Sequence, residues 1–251
     1  MADSTRLEPS TLWRHARAQE RWSVICDFDG TIATIDVTDE LLARFAAPEW
    51  RALEQQWQDG AISARDCMAA QVRLLRAARA DLYAQLTRVH LDPGFAGFVA
   101  ECHSRALPLS IVSDGLDLAI RRVLAHHRLP RLPIYANRLL ATDREHYRLE
   151  FPHARPGCSA GSGVCKCAVA QAQGANRVLL IGDGRSDFCL AARADFVFAK
   201  GRLAEHCEQR QIPHRRFLQF SQLHYLLSEL LDHPHHHRRA AKAQPLYYRS
   251  L

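Results

Sequence analysis

Two aspartates two residues apart, Asp27 and Asp29, follow the short β-prone run Trp22 to Cys26 and are succeeded at once by Gly30-Thr31. In an extended chain the side chains at i and i+2 point to the same side, and a glycine just beyond lets the backbone turn away. Such a pair can divide the work of phosphoryl transfer. One carboxylate attacks phosphorus to form an acyl phosphate, while its neighbour protonates the leaving alcohol and then takes a proton from the hydrolytic water. Carboxylates that attack an anion need a counter-charge, which Mg²⁺ held by one or two Asp and by phosphate oxygens supplies. Asp183, within Gly182-Asp183-Gly184, is the further metal ligand. Lys166, near a helix start, offers a point charge to the transferring group, and Ser113 offers a hydroxyl and a backbone N–H. Asp187 orients Lys166 or a metal-bound water, or is a first-turn helix residue favoured by the dipole.

The elements that must position these residues alternate. Trp22 to Cys26, Leu107 to Val112 and Arg177 to Ile181 read as strands, each ending in a polar cluster: Asp27 to Thr31, Ser113 to Gly115, and Gly182 to Asp187. Between the first and second strands, Val37 to about Leu91 is helical in pattern with a break at Asp59-Gly60, and a further helix covers Phe95 to Arg105. Helices are predicted after Gly115, at Lys166 and from about Ser186. Short strands are predicted at 133–136, 139–142, 147–151 and 196–198, and a last amphipathic helix at Phe220 to Leu231. Residues 7–20 read as a lead-in helix. Alternating strands and helices imply an α/β fold with a mostly parallel sheet covered on both faces, which binds ligands at the carboxyl ends of its strands. The expected division is a lead-in over 1–21, a core over 22–35 and 92–232, a helical insertion over 36–91, and a poorly ordered basic, His-rich tail over 233–251.

Composition narrows the function. A chain of 251 residues that is 47% hydrophobic and 24% charged is that of a globular protein. Its formal charge of +6 owes four charges to Arg238, Arg239, Lys242 and Arg249 in the tail, and no basic stripe interleaved with aromatics marks the rest, so no nucleic-acid partner is expected. No apolar run suffices to cross a bilayer, and the charged N-terminus lacks a signal-peptide core, so the expectation is a cytoplasmic protein without a membrane partner. Eight cysteines are too few for a secreted disulfide scaffold.

Asp27-Phe28-Asp29-Gly30-Thr31, Ser113, Lys166 and Gly182-Asp183-Gly184-Arg185-Ser186-Asp187 resemble, in order, the four motifs of the haloacid dehalogenase-like phosphatases. The insertion resembles the small helical cap of their phosphoserine phosphatase branch. Over residues 22 to 231 the resemblance implies a Rossmann-like core, a Mg²⁺-dependent phosphomonoesterase, Asp27 as nucleophile and Asp29 as acid/base. It also implies a metal held by the Asp27 carboxylate, the Asp29 main-chain carbonyl and Asp183, with Asp187 as a further candidate. Thr31, Ser113, Asp114 and Lys166 are the candidate phosphate-binding residues. Ala47-Pro48-Glu49-Trp50, Cys158 with Cys165-Lys166, and Asp187-Phe188-Cys189 are similar to two groups, the diketo-methylthio-phosphopentane phosphatases of methionine salvage and the phosphoethanolamine/phosphocholine phosphatases.

Phosphoserine itself is the weaker expectation, because Asp36 stands where its phosphatases have Glu and Gln71 where an Arg would clamp the substrate carboxylate. The expected substrate is a small phosphorylated metabolite, sugar-like or amino-alcohol in its leaving group. Phosphoserine as substrate, or a phosphate-binding protein without turnover, is the competing reading of the same motifs. Several single residues admit two roles each. Asp114 is a helix cap or a substrate contact. Trp50 and Trp57, seven apart on one predicted helix face, are cap core or a substrate-facing wall. Cys158, Cys165 and Cys167 with His153 are loop and packing residues rather than a zinc site, their spacing being unfamiliar for zinc.

Overall fold

The computed structural model describes residues 21–158, 160–175 and 177–232. The expected lead-in helix and the basic tail lie outside the described residues. The elements run β1 (Trp22–Cys26), α1 (Val37–Phe45), α2 (Trp50–Gln58), α3 (Ala64–Val72), α4 (Arg79–Leu86), α5 (Phe95–Ser104), β2 (Leu109–Leu116), α6 (Asp117–His126), β3 (Ile134–Ala141) and β4 (Tyr147–Glu150). They continue with α7 (Lys166–Ala172), β5 (Arg177–Gly182), a 3₁₀ turn at Arg185–Asp187, α8 (Phe188–Ala191), β6 (Phe196–Ala199), α9 (Gly201–Gln209), β7 (His214–Arg216) and α10 (Phe220–Asp232).

The strands form a seven-stranded sheet in the order β4-β3-β2-β1-β5-β6-β7, in which only β4 is antiparallel to its neighbour. Alternation along each strand feeds two apolar layers. Val24, Cys26, Leu179 and Ile181 join Phe95, Phe98 and Phe220 on one face, whereas Ile25, Val112, Leu180 and Val197 join Val169, Leu203 and Cys207 on the other. On the first face Phe95 and Phe98 pack edge-on against Phe220 at 5.1 and 5.3 Å between ring centroids, which seats α10 on α5. The buried residues of α1, α3 and α4, among them Leu41, Leu42, Val72, Leu82 and Leu86, belong to that same apolar layer.

Three local expectations change. β2 does not stop at Val112 but runs through Ser113-Asp114-Gly115 to Leu116, with a register shift between Val112 and Leu116. The polar residues stay extended because the Ser113 hydroxyl accepts the Gly115 N–H at 2.9 Å and the Asn137 amide donates to the Asp114 carbonyl. The two short strands expected around residues 133–142 are one strand, β3, in which Asn137 is fully buried. The edge strand β7 has no apolar signature in His214-Arg215-Arg216; it pairs with Val197 to Ala199 through its backbone. α9 is likewise an addition to the expected elements.

Asp92, 4% exposed, ties the return from the helical block to the rest of the fold. Its carboxylate accepts the backbone N–H of Gly94 at 3.0 Å and of Phe220 at 3.1 Å, together with the Lys200 ammonium at 3.3 Å. Lys200 also donates to the Thr31 carbonyl at 3.1 Å. Removing this carboxylate strands the buried Phe220 N–H and the part-buried Gly94 N–H and leaves Lys200 without its anionic partner. Asp92→Ala is expected to lower unfolding free energy by roughly 3 kcal/mol, and Asp92→Asn by less because it keeps an acceptor. Denaturant titration of both variants checks this; an Asp92→Ala protein as stable as wild type would refute it.

Candidate active site

Because β2, β1 and β5 are adjacent and parallel, their polar ends meet at one edge of the sheet. Asp27, 5% exposed, lies at the floor of a cavity of ≈ 1180 Å³ between this edge and the helical insertion. One of its carboxylate oxygens accepts the Phe28 N–H at 2.7 Å; the other lies 2.7 Å from Lys166 Nζ and 3.2 Å from the Ser186 hydroxyl, which donates to it. Lys166 is the first residue of α7, and its ammonium also donates to Asp187 Oδ1 at 2.6 Å. Burial alone would pull this ammonium down, but Asp187 and Asp27 outweigh it and hold Lys166 above the ordinary lysine value. Asp187 is fully buried, and its second oxygen accepts the N–H groups of Asp183 and Gly184 at 3.2 and 3.3 Å. Asp187 thus both contacts Lys166 and closes the start of the 3₁₀ turn through the Gly184 N–H.

Asp29 faces the same cavity. It accepts the Val37 N–H at 2.8 Å, and the Ser113 hydroxyl donates to it at 3.3 Å. Burial, then the Asp36 and Asp27 carboxylates, push Asp29 well above the usual carboxylate range against the pull of those donors. Gly115 leaves room for it: a Cβ there would stand 2.4 Å from Asp29 Oδ2.

Two candidate phosphate-binding residues have other partners. Thr31 is fully buried, is not among the residues lining the cavity, and donates its hydroxyl to Asp183 Oδ1 at 2.7 Å. Asp114 does not cap α6, whose first turn begins after Leu116 with no side-chain cap. Its carboxylate instead accepts the Val164 N–H at 2.7 Å, which anchors the loop leading into Lys166, while the residue still lines the cavity. Lys166 also contributes no surface to the cavity and touches Asp27 rather than open space. Ser186 belongs to the fourth motif, but its hydrogen bond to Asp27 could be read only from the fold.

The roof comes from the insertion. Asp36, Asp39, Glu54, Trp57, Met68 and Gln71 all line the cavity. Gln71 is engaged, donating to Glu54 at 3.1 Å and to the Trp50 carbonyl at 3.3 Å. Burial and the Asp36 and Glu54 carboxylates push Asp39 up to about 7. The two tryptophans divide the expected roles: Trp50 is 7% exposed within the core, whereas Trp57 lines the cavity with the Arg185 guanidinium 5.4 Å from its ring centre.

One carboxylate oxygen each from Asp27, Asp183 and Asp187 lie within 4.8 Å of one another, and this is the metal-donor group of three or more found among the described residues. An all-oxygen carboxylate set fits a hard divalent cation. The cysteines form no such group among the described residues, although Cys167 and Cys189 approach to 3.4 Å.

With this geometry in place, the likenesses to known proteins are decisive for the family. The model of the haloacid dehalogenase-like hydrolases matches residues 24–192. The chain belongs to this family. It is 32% identical over 214 residues to a 2-hydroxy-3-keto-5-methylthiopentenyl-1-phosphate phosphatase of Brevibacillus brevis, covering 82% of this chain and 95% of that one. It is 33% identical over 202 residues to the protein of the same name in an Exiguobacterium species, covering 78% and 93%. Among solved structures, a HAD family hydrolase of Salmonella enterica serovar Typhi superposes with a TM-score of 0.65 at 17% identity, covering 83% of this chain and 71% of that one. A phosphoserine phosphatase captured as a phospho-aspartyl intermediate analogue superposes with 0.60 at 18%, covering 85% and 98%. The chain is a phosphatase of the haloacid dehalogenase-like family on an α/β core. Among the described residues, no helix is long and apolar enough to cross a membrane.

In this hydrolase, burial and the Asp27 carboxylate push Asp183 up to about 6, against the pull of the Thr31 hydroxyl. The folded state therefore holds its proton more tightly than the unfolded chain does. The contribution of Asp183 is fully present below its unfolded pKa and is lost as pH rises through about 6. In metal-free protein, Asp183→Asn is expected to melt a few degrees above wild type at about pH 8, with the gap closing below about pH 4. Added Mg²⁺ should raise the wild-type melting temperature and not that of the variant. Scanning calorimetry with and without Mg²⁺ checks both; a variant less stable than metal-free wild type at the higher pH would overturn the assignment.

Proposed function

We propose that this phosphatase is Mg²⁺-dependent, works through an aspartyl phosphate on Asp27, and acts on a phosphomonoester of the 2-hydroxy-3-keto-5-methylthiopentenyl-1-phosphate type. The observation that carries the chemistry is the arrangement of Asp27 and Asp29: one carboxylate is hydrogen-bonded by Lys166 and Ser186, and the other is shifted toward its protonated form in the same cavity. The substrate follows from 32% identity over nearly the whole length of a phosphatase so named. The cavity is consistent with it, since Trp57, Ile62, Cys67 and Met68 offer an apolar wall suited to a thioether tail.

Asp27, Asp183 and the Asp29 main-chain carbonyl would hold the cation, which when bound neutralises phosphate charge and aligns phosphorus with the nucleophile. A carboxylate oxygen of Asp27 attacks phosphorus, the bond to the leaving oxygen breaks, and Asp29 gives that oxygen its proton. Asp29, now ionised, removes a proton from water; the water oxygen attacks phosphorus and the bond to Asp27 breaks, releasing phosphate and restoring both residues. Lys166 holds the Asp27 carboxylate in place throughout and balances its charge. Asp187 fixes Lys166 in turn.

A second reading rests on Asp36, Asp39 and Glu54, whose carboxylates would draw an amino-alcohol leaving group such as that of phosphoethanolamine. Both readings disfavour phosphoserine, because Gln71 is occupied by Glu54 and offers no cation to a substrate carboxylate.

Phosphate release from a panel containing the methylthiopentenyl phosphate, phosphoethanolamine and phosphoserine separates these readings. The first is expected to show the highest kcat/KM, chelation by EDTA should silence turnover, and Mg²⁺ should restore it. Asp27→Asn is expected to abolish turnover with the fold intact, and Asp29→Asn to slow it by about 10²–10⁴-fold. Measurable turnover by purified Asp27→Asn above a tenth of wild type would exclude the covalent mechanism, and a preference for phosphoserine would exclude the substrate assignment.

A further inference from the structure

Cys167 and Cys189 come from different elements yet bring their sulfurs to 3.4 Å, the Cys167 thiol donating to Cys189 Sγ. Cys167 is the second residue of α7, directly after Lys166; Cys189 is the second residue of α8, two residues beyond Asp187. Both are half-buried. Cys189 also lines the active-site cavity and Cys167 does not, so a small solute in the cavity meets Cys189 first.

We propose that Cys167 and Cys189 form an oxidisable dithiol whose disulfide switches the phosphatase off by displacing Lys166 from Asp27 and Asp187. A disulfide has a sulfur–sulfur distance of about 2.05 Å, so closing the pair shortens this separation by about 1.4 Å and fixes the Cys167 and Cys189 side chains, and with them the first turns of α7 and α8, in one geometry. The start of α7 has little slack to absorb that shift. Val164 N–H is held by Asp114, Cys165 N–H donates to the His153 carbonyl at 2.9 Å, and Lys166 spans Asp27 and Asp187 at 2.7 and 2.6 Å.

The chemistry balances with a peroxide as oxidant. Cys189 sulfur attacks one oxygen of hydrogen peroxide, the O–O bond breaks, and the departing hydroxide takes the thiol proton as water, leaving a sulfenic acid. Cys167 sulfur then attacks Cys189 sulfur, the S–O bond breaks, and the hydroxyl leaves with the Cys167 proton as a second water. Two thiols have been oxidised and one peroxide reduced. A thiol reductant reverses the bond by exchange.

The test uses the purified full chain, reduced and then exposed to hydrogen peroxide. Differential alkylation with peptide mass mapping reads the pairing, and hydrolysis of p-nitrophenyl phosphate, independent of the leaving-group assignment above, reads the rate. The expected result is a Cys167–Cys189 cross-link with kcat reduced by about 10²-fold, KM little changed, and recovery with dithiothreitol. Cys167→Ser is expected to keep the reduced rate and retain it through peroxide treatment, with Cys189 trapped by dimedone as the sulfenic acid. A cross-link between Cys158 and Cys165 instead, a Cys167–Cys189 cross-link without loss of kcat, or equal inactivation of Cys167→Ser would each overturn the proposal.

Discussion

An ammonium whose side chain is 2% exposed, held between two carboxylates at 2.6 and 2.7 Å, is the interaction on which this phosphatase site depends. A buried cation is tolerable only when paired and hydrogen-bonded, and here the two partners are Asp27, the proposed nucleophile, and Asp187, a carboxylate whose other oxygen is closed by backbone N–H groups. The consequence is directional. Lys166 cannot swing toward an incoming phosphate without abandoning a buried negative charge, so it keeps Asp27 in one orientation and leaves the cavity to Ser113, Ser186 and the substrate. Everything that fixes the start of α7 therefore acts on Asp27. Asp114 does so through Val164, and Gly182 does so by yielding space, since a Cβ there would stand 2.3 Å from Asp187 Oδ2.

The sheet supplies the second constraint. Parallel pairing of β1 with both β2 and β5 sets Asp27 beside Ser113 on one side and Asp183 on the other, and no loop has to be long to bring them there. The same edge must then be held against the insertion that follows β1. That hold comes from Lys200, which donates to the Thr31 carbonyl and to Asp92 while lying 4.8 Å from the centre of the Phe217 ring. A cation on β6's exit thus reaches the loop that follows Asp27, and α10 is tied to the same carboxylate through its Phe220 N–H.

Much of this was legible in the sequence because it rests on local signals. Strands ending in Asp27, Ser113 and Gly182-Asp183-Gly184 carry β-prone runs, and the helical insertion shows its period from Leu41 to Leu75. What escaped depends on tertiary partners. Thr31 reads as a phosphate ligand until its hydroxyl is seen to donate to Asp183, and Asp114 reads as a cap or a substrate contact until its carboxylate is seen to accept the Val164 N–H 50 residues on. Strand β7 is invisible as His214-Arg215-Arg216 because its place is fixed by backbone hydrogen bonds to β6 and not by side-chain burial. Trp50 and Trp57 show why spacing alone does not assign a face: one helix carries both, but the cavity begins partway along it.

The balance of charge in the cavity bears on the proposed chemistry. Asp27, Asp29, Asp36, Asp39, Glu54, Asp114 and Asp183 line it, against Arg185, Arg202 and Arg210, with Lys166 already committed beneath the floor. A phosphate dianion entering so acidic a space is repelled unless some carboxylates hold protons or a cation joins them. The upward shifts of Asp29, Asp39 and Asp183 are the first response. For Asp29 that response suits the proposed reaction, in which the leaving alcohol takes its proton. For Asp183 it does not, because a protonated carboxyl is a poor metal ligand; binding of a divalent ion there must expel the proton, so metal affinity should weaken as pH falls below about 6. Asp36, Asp39 and Glu54 add further negative charge at the roof, where, under the proposed function, a leaving group that carries a carboxylate would be repelled. The crowding of carboxylates that calls for a counter-charge at the floor would thus, at the roof, weigh against a substrate that carries a carboxylate.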